Sequence, residues 1–323
     1  MKQNLATYQT YTYINRFKKN SFIYKVLKYK ALLLMMLPTI LFIFINNYLP
    51  MFGILIAFKN INYVDGILGS PWIGLKNFYY LFTTQDAWLI TRNTVGFNLL
   101  FLIMNIVFPV TVAILLNEIR GKLLPKAYQT IMLFPNFISM VLVSYLVFGF
   151  LSPENGFMNK VILPFLNIPQ VNWYQNIASW VFIIPLVHLW KSVGINTIVY
   201  LAAITGLNIE YYDAAYIDGA TKLQLIRHIT LPFLRPTIII LTILGIGKIF
   251  NSDFGLFFQV PLQSGTLFPV TQTIDTYVYR ALLSNNNISM SSAAGFYQAI
   301  VGFILVFVTN LVVRKFDKDS ALF

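Results

Sequence analysis

The chain has 323 residues, of which 57% are hydrophobic and 11% are charged, and it contains no cysteine. Soluble domains usually carry about 25% charged residues, so this composition indicates a chain solvated mainly by lipid. Without cysteines there is no disulfide framework and no cysteine metal site, and two histidines, His188 and His228, are too few for a histidine cluster. A net charge of +12 fits a membrane protein with basic cytoplasmic loops, so no nucleic acid partner is expected.

Six stretches are apolar and long enough to cross a bilayer, which takes about 20 residues. The first follows Lys30 and runs through "ALLLMMLPTILFIFI" into "YLPMFGILIAF". The other five are predicted at 93–116, 127–151, 177–203, 237–254 and 293–313. We therefore predict an all-α membrane protein with six transmembrane helices.

The distribution of Lys and Arg predicts how these segments are oriented. Of the 23 basic residues, 16 fall in 1–30, 119–126, 204–235 and 314–323, whereas five fall in the alternate set, 59–92, 151–175 and 255–292. Because cytoplasmic loops collect Lys and Arg, the first set is predicted to be cytoplasmic. Both termini belong to that set, in a multi-pass protein of the plasma membrane.

The termini and loops divide the chain further. Residues 1–30 are predicted to form a basic cytoplasmic segment and 31–58 an uncleaved first membrane segment, since no cleavage-like site follows the apolar run. The basic segment suits contact with anionic lipid headgroups, and it suits a plain orientation signal equally well. Residues 59–92 are predicted as an extracytoplasmic loop, 93–313 as a five-helix core, and 314–323 as a cytoplasmic tail.

One polar stretch, "DAAYIDGATKLQLIRHITLP" at 213–232, lies in the predicted cytoplasmic loop between the fourth and fifth segments. Asn208 and Glu210 are typical of a helix start, and Gly219 is typical of a helix end. A second helix is predicted over "TKLQLIRHIT", and Pro232 is predicted to mark the turn into the fifth segment. The sequence thus predicts a compact helical elbow between two membrane segments.

The elbow resembles the EAA loop of permease subunits of binding-protein-dependent ABC importers. The matching positions are Asp213, Ala214, Ala215, Gly219, Ile229, Leu231 and Pro232. Asp213 stands where that family has Glu, which keeps the charge. The stretches "YLPMFGILIAFKN", "GSPWIGLKNF", "LLNEIRGK", "DTYVYRAL" and "SAAGFYQAIVGFILVFVTNLVVRK" resemble the LplB-like branch of carbohydrate permeases, and together they cover most of the chain from residue 30 onward.

This resemblance implies the type I ABC importer permease fold, with a coupling loop at about 204–235. In such importers the loop docks on an ATPase subunit and transmits its ATP-driven closure to the membrane helices. Here Asp213 and Asp218 would meet basic groups of that partner, and Gly219 would set the angle of the elbow. The implied partners are two cytoplasmic ATPase subunits, a second permease forming a heterodimer, an extracytoplasmic solute-binding protein and a saccharide. An ordinary connecting loop is the alternative interpretation.

The chain is not expected to be an enzyme by itself. It contains no G-x-x-x-x-G-K-[ST] phosphate loop, so ATP and Mg are expected on the partner ATPase subunits. No catalytic residue, no cofactor and no metal site is predicted in this chain.

Two charged residues, Lys191 and Lys248, fall inside predicted segments, where a charge costs on the order of 2.5–3.5 kcal/mol and is a candidate for function. Counted along their helices, Lys191 lies about 18 Å from Ala203 and Lys248 about 20 Å from Arg235, which favours a shared polar cavity at similar depth. In the related maltose importer the sugar contacts lie on the corresponding segments. The candidates for the substrate pathway are His188, Trp190, Lys191, Ser192, Asn196, Lys248, Asn251, Ser252 and Asp253.

Each of these residues also has a structural interpretation. His188 could be a satisfied core group, and the two lysines could pair with Asp253 or with backbone carbonyls. Lys248 could instead extend to the membrane interface. Two lysines suit an acidic or sulfated saccharide, although lysine binds neutral hydroxyls as well.

The preferred function is ATP-driven import of a saccharide. An importer of the same type for peptides or amino acids stays open, as does an ion-coupled secondary transporter. The latter is disfavoured because ion coupling favours a carboxylate in mid-membrane, whereas Asp253 lies at a segment end and Glu118 at the inner rim.

Overall fold

The described part of the chain is helical. The computed structural model describes residues 25–26, 28–119, 121, 123–285, 287–316 and 321–322, and within these it contains no β-strand, only an isolated bridge between Lys59 and Trp72. The chain divides into two compact units, one ending at Ile56 and the other beginning at Ala57.

Ten helices are numbered here in chain order. They are α1 (Lys30–Phe58), α2 (Gln85–Glu118), α3 (Leu123–Phe137), α4 (Met140–Leu151), α5 (Ile177–Thr205), α6 (Glu210–Ile217), α7 (Lys222–Gly247), α8 (Phe254–Gln259), α9 (Ile274–Asn285) and α10 (Ile288–Phe316). Short helical turns lie between them at Gly66–Gly69, Lys76–Phe78, Tyr80–Thr83, Met158–Ile162, Leu163–Phe165, Trp173–Gln175, Gly265–Leu267 and Phe268–Thr271.

The third predicted membrane segment is a broken pair of helices. Five described helices, α1, α2, α5, α7 and α10, are long and apolar enough to cross a membrane, and α3 with α4 makes up to six. The axes of α3 and α4 are bent by 99° around Ile138 and Ser139. With 15 and 12 residues, the two halves are about 22 and 18 Å long, which is short of a hydrocarbon core about 30 Å thick.

The boundaries of the other segments differ from the predicted ones by varying amounts. The fourth, predicted at 177–203, is α5 with nearly the same limits. The second and sixth are longer than predicted, since α2 begins at Gln85 and α10 at Ile288. The fifth, predicted at 237–254, instead begins at Lys222 and ends at Gly247. Apolar composition indicates that a stretch lies in the membrane, but it does not distinguish helical backbone from unwound backbone there.

Packing between α2 and α5 forms the centre of the second unit. In lipid, helices associate through close packing and hydrogen bonds, because apolar side chains gain little by leaving hydrocarbon. Buried aromatic and aliphatic side chains of α2 and α5, with some from α7 and α8, form two clusters around this contact. One cluster contains Phe97, Phe101, Trp180, Ile184, Leu256 and Phe257, and the other contains Val110, Ala113, Tyr200, Ile204 and Leu234.

Three helical stretches contain a π-turn that is followed directly by Leu-Pro. The π-turns are Phe44–Tyr48, Met158–Ile162 and Ile226–Thr230, and the Leu-Pro pairs are 49–50, 163–164 and 231–232. In each case the Leu N–H donates to the carbonyl five residues earlier. A proline ring clashes with the carbonyl four residues before it, and the wider turn relieves that crowding. The prediction that Pro232 turns the chain is therefore wrong, because α7 runs through Pro232 without a break.

Candidate coupling elbow and transport path

The elbow, defined here as residues 208–232, begins with α6. The Asn208 carboxamide oxygen accepts the backbone N–H of Glu210 at 3.1 Å, so Asn208 caps the helix from just before its first turn. The helix ends as predicted at Gly219, whose φ of +78° lies in the left-handed region that favours glycine. The N–H of Gly219 donates to the Tyr216 carbonyl at 3.0 Å, and that of Ala220 to the Ala215 carbonyl at 2.9 Å. These two bonds form a Schellman motif, which closes the helix end.

The second half of the elbow starts at once. Thr221 caps α7 through a capping box, in which its hydroxyl accepts the Gln224 N–H while the Gln224 side chain accepts the Thr221 N–H at 2.7 Å. From Lys222 the helix continues through the π-turn Ile226–Thr230 into the membrane-spanning part of α7. The elbow therefore consists of two helices separated by a tight turn of four residues, 218–221, with both ends of that turn capped.

Two side-chain contacts link the elbow to its surroundings. The Tyr212 hydroxyl lies 2.8 Å from the buried Thr230 hydroxyl, which joins α6 to the π-turn of α7. The Lys222 ammonium lies 2.8 Å from the Glu118 carboxylate at the end of α2. Tyr212 thus ties the two halves of the elbow together, and Lys222 ties the elbow to α2.

Most of the predicted coupling residues lie at the surface of the elbow. Asp213, Ala214, Asp218, Gly219, Leu231 and Pro232 are exposed, and Ala215 and Ile229 are half-buried. Apolar side chains are exposed beside them, Ile217 at 87% and Leu223 at 75%. A groove of about 400 Å³ lies between the two helices, lined among others by Ala215, Asp218, Gly219, His228 and Ile229. An exposed apolar surface with polar residues at its edge is typical of a contact with another protein.

Three of the predicted pathway residues form a polar stripe on α5 that faces α2. The rings of His188 and Phe101 are stacked, with centroids 3.8 Å apart. The Ser192 hydroxyl and the Asn196 carboxamide both donate to the Asn105 carboxamide oxygen, at 3.1 and 3.0 Å. Nε2 of His188 is buried and has no hydrogen-bond partner among the described residues. This stripe supplies hydrogen-bond donors and acceptors between α2 and α5.

The two lysines of the predicted cavity lie in different settings. The Lys191 ammonium donates to the backbone carbonyls of Pro135, Asn136 and Ile138, at the break between α3 and α4. Lys248 is exposed and forms the C-cap of α7. Trp190 on α5 is 41% exposed. The geometry of Lys191 agrees with the structural interpretation, pairing with backbone carbonyls.

The segment after α7, residues 248–253 and here called the connector, is unwound. Its carbonyls are bound by carboxamides from distant helices. Asn98 of α2 donates to the carbonyls of Ile249 and Asn251 at 2.9 and 3.0 Å, and Gln298 of α10 donates to the Phe250 carbonyl at 2.6 Å. Unwound backbone inside a membrane requires hydrogen-bond partners of this kind, because each unsatisfied polar group costs roughly several kcal/mol in hydrocarbon.

The end of the connector is held by α9. The Asp275 carboxylate accepts the backbone N–H and the hydroxyl of Ser252 at 2.6 and 2.7 Å. The Ser252 hydroxyl also lies 2.7 Å from the Thr273 hydroxyl. Asp253 caps α8 by accepting the Leu256 N–H at 3.1 Å. Ser252 and Asp253 therefore order the backbone, while the side chains of Lys248 and Asn251 are exposed.

A similar arrangement orders the loop between α4 and α5. The buried Asn159 carboxamide donates to the carbonyls of Pro153 and Val171 at 2.9 Å each and accepts the Trp173 indole N–H at 3.1 Å. In the same loop, burial raises the pKa of Tyr174 to about 12. The phenol therefore stays neutral at physiological pH.

Sequence reasoning missed Asn98, Asn105, Asp275 and Gln298, which hold the connector and the polar stripe. Inside the apolar segments, charge marks the two lysines, and the resemblance to carbohydrate permeases marks the other candidates. Uncharged carboxamides in such segments are also informative, because they need hydrogen-bond partners and find them on neighbouring helices. The described residues contain no group of three or more His, Cys, Asp or Glu that could hold a metal ion.

Comparison with known proteins agrees with this architecture. Residues 105–319 match the family described as "Binding-protein-dependent transport system inner membrane component". The chain is 37% identical over 303 residues to the polygalacturonan/rhamnogalacturonan transport system permease protein YteP of Bacillus subtilis (strain 168), covering 94% of each chain. It is 36% identical over 293 residues to protein LplB of the same organism, covering 90% of this chain and 91% of that one.

Solved structures extend the comparison. A crystal structure of a bacterial ABC transporter involved in the import of the acidic polysaccharide alginate matches with a TM-score of 0.82 and 33% identity, over 91% of this chain and 98% of that one. The same kind of transporter in complex with an alginate pentasaccharide-bound periplasmic protein matches with a TM-score of 0.83 and 32% identity, over 92% and 98%. The resemblance to the LplB-like branch is confirmed. The chain belongs to the family of inner membrane components of binding-protein-dependent transport systems.

Proposed function

We propose that this chain is the transmembrane permease subunit of an ATP-driven ABC importer for an acidic oligo- or polysaccharide. The observation that carries the proposal is the similarity to YteP, which extends over 94% of both chains. YteP is named for polygalacturonan and rhamnogalacturonan transport, and the similar solved transporter imports alginate. Polygalacturonan and alginate are both built from uronic acids, so the proposed cargo carries carboxylates.

The proposed complex contains two cytoplasmic ATPase subunits that bind ATP and Mg, a second permease subunit and an extracytoplasmic solute-binding protein. The solute-binding protein is supported by the similar transporter solved with its saccharide-loaded periplasmic protein. The elbow is the proposed docking site for an ATPase subunit, and its exposed acidic and apolar residues support that role. A capped pair of short helices moves as one body, which suits the transmission of a domain closure. The bias of basic residues supports cytoplasmic termini and a cytoplasmic elbow.

The proposed path for the saccharide runs past the polar stripe of α5 and the connector. His188, Ser192 and Asn196 supply donors and acceptors suited to sugar hydroxyls, together with Asn105 of α2. Of the two lysines in the apolar segments, Lys248 is the one whose side chain is exposed. Lys248 is therefore the proposed contact for a saccharide carboxylate, with Asn251 beside it.

The experiment that tests this function is ATPase activity of the complete complex in lipid nanodiscs. The chain is expressed with its second permease and ATPase subunits, and the solute-binding protein is added either empty or loaded with an acidic or a neutral oligosaccharide. Stimulation by the protein loaded with acidic saccharide, and not by the empty protein, is expected. Stimulation only by a protein loaded with peptide or amino acid would replace the saccharide with another solute of the same transporter type. Activity that needs an ion gradient and no ATPase subunit would contradict the proposal.

A further inference from the structure

The break between α3 and α4 leaves backbone groups without helical partners. The last carbonyls of any helix lack N–H donors, and in lipid they cannot turn to water instead. On the α4 side the chain supplies its own cap, because the Ser139 hydroxyl accepts the Leu142 N–H at 3.4 Å. On the α3 side the Ile138 N–H donates to the Pro135 carbonyl at 3.2 Å. The other acceptors at the end of α3 need donors from elsewhere.

Lys191 supplies these donors. Its ammonium contacts the carbonyls of Pro135 and Asn136 at 3.2 and 3.3 Å and also that of Ile138. An ammonium has three N–H donors and no acceptor, so three carbonyls use all of its hydrogens. A positive charge at the C-terminal end of a helix also interacts favourably with the helix dipole. The side chain is half-buried, in keeping with its engagement by the protein.

A second feature of α5 brings Lys191 to this place. Gly194 lies one turn further along the helix, where a Cβ would stand 1.9 Å from the Met132 carbonyl oxygen. The two helices therefore touch backbone to backbone, which only glycine permits at that distance. Residues three apart share a helix face, so Lys191 and Gly194 both face α3. The close approach at Gly194 sets the ammonium of Lys191 against the end of α3.

We propose that Lys191 is a positioning residue that holds the bend of the third membrane segment, and that it does not recognise the charge of the transported saccharide. The proposal goes beyond the proposed function, because the bend exists whatever solute is moved. It predicts that loss of the lysine disturbs the bend, and that reduced transport is a consequence of this disturbance. Transport of acidic and neutral saccharides then falls by the same factor.

The first test measures hydrogen–deuterium exchange of the segment 130–142 in the complete complex in nanodiscs. Lys191→Met removes all three hydrogen bonds, and charged hydrogen bonds contribute roughly 1.5–3 kcal/mol, so exchange at the end of α3 is expected to rise about tenfold or more. Lys191→Arg keeps charge and donors and should exchange like the unaltered chain. Lys248→Met, the matched loss of the other lysine, should leave this segment unchanged. If Lys191→Met does not assemble, Lys191→Gln, which is neutral but still donates, is expected to give an intermediate rise.

The second test compares ATPase stimulation by binding protein loaded with acidic and with neutral saccharide. Lys191→Met should lower both by the same factor, whereas Lys248→Met should lower the acidic response more. Unchanged exchange in Lys191→Met, or loss confined to the acidic saccharide, would overturn the proposal. If no saccharide stimulates the unaltered complex, the proposed function fails, and the exchange measurement still decides the role of Lys191.

Discussion

The two ends of α7 are held in different ways. At its N-terminal end the elbow is shaped by contacts between residues close in sequence, such as the Schellman motif at Gly219 and the capping box at Thr221. At its C-terminal end the connector is shaped by side chains from α2, α9 and α10, which donate to or accept from each part of its backbone. The shape of the elbow therefore depends on contacts between residues close in sequence, whereas the shape of the connector depends on the arrangement of three helices.

This difference has a consequence for motion. A locally folded elbow keeps its shape when its surroundings move, so it can transmit a displacement as a rigid body. The connector cannot change without altering hydrogen bonds to three helices at once. A rearrangement of the bundle is thus expected to act on the connector, and a displacement of the proposed ATPase partner on the elbow. Four sets of substitutions test this contrast.

The largest effect is expected at the start of the connector, where α10 touches α7. A Cβ at Gly302 would stand 2.5 Å from the Gly247 carbonyl oxygen, so Gly302→Ala forces two backbones apart. Such overpacking costs about 1–3 kcal/mol. The midpoint of thermal unfolding of the purified complex should fall. Gly295→Ala on the same helix meets nothing within 4 Å and should leave that midpoint unchanged or slightly raised. Equal midpoints for the two variants would contradict the close contact.

The next effect concerns the backbone of the elbow. Gly219 has a φ of +78°, and a Cβ there would meet nothing within 4 Å, so a substitution acts through conformation and not through a clash. Gly219→Val should cost about 1–3 kcal/mol of strain and reduce the ATPase response to loaded binding protein, with unchanged amounts of protein in the membrane. Gly219→Asn should retain most of the response, since asparagine adopts positive φ more readily. Equal loss in both variants would point to a lost surface contact instead.

A smaller effect is expected from the carboxamide that holds the connector. Asn98→Asp replaces an N–H₂ group that binds two carbonyls with an oxygen that repels them. A typical intramolecular hydrogen bond contributes about 0.5–1.5 kcal/mol, so hydrogen exchange of residues 246–256 should rise accordingly. Asn251→Asp introduces the same charge in the connector on an exposed side chain and should have little effect. A rise of equal size in both would mean that charge, and not the bridging donor, is responsible.

The smallest effect is expected from the pair between Lys222 and Glu118, which joins the elbow to α2. The side chains are 67% and 34% exposed, so the pair contributes about 0.2–1 kcal/mol and less at high salt. Lys222→Glu and Glu118→Lys should each lower the ATPase response slightly, and the double exchange should restore it. Two single losses that simply add in the double variant would show that the contact does not link the two helices.

The contrast between elbow and connector also explains what the sequence could predict. Asn208 and Gly219 act on the ends of one short helix, so the sequence predicts the elbow. The partners of the connector lie far away in sequence, and Asn98, Asp275 and Gln298 carry no pattern that pairs them with residues 249–252. The bend at Ile138 was missed for a related reason, since apolar composition runs through it unchanged. Lys191 is marked in the sequence by its charge inside an apolar segment, and pairing with backbone carbonyls is one of the interpretations left open there. No sequence pattern indicates which carbonyls these are.

The π-turn at Ile226–Thr230 sets how far the elbow is rotated, about the axis of α7, relative to the membrane part of that helix. Such a turn contains one residue more than an α-helical turn. Deleting a residue between Ile226 and Thr230 would let the helix close as a regular α-helix. The elbow would then rotate by about 100° around the helix axis and draw in by about 1.5 Å. A single-residue gap at this place, in any related chain, would therefore present a different face of the elbow to its proposed partner.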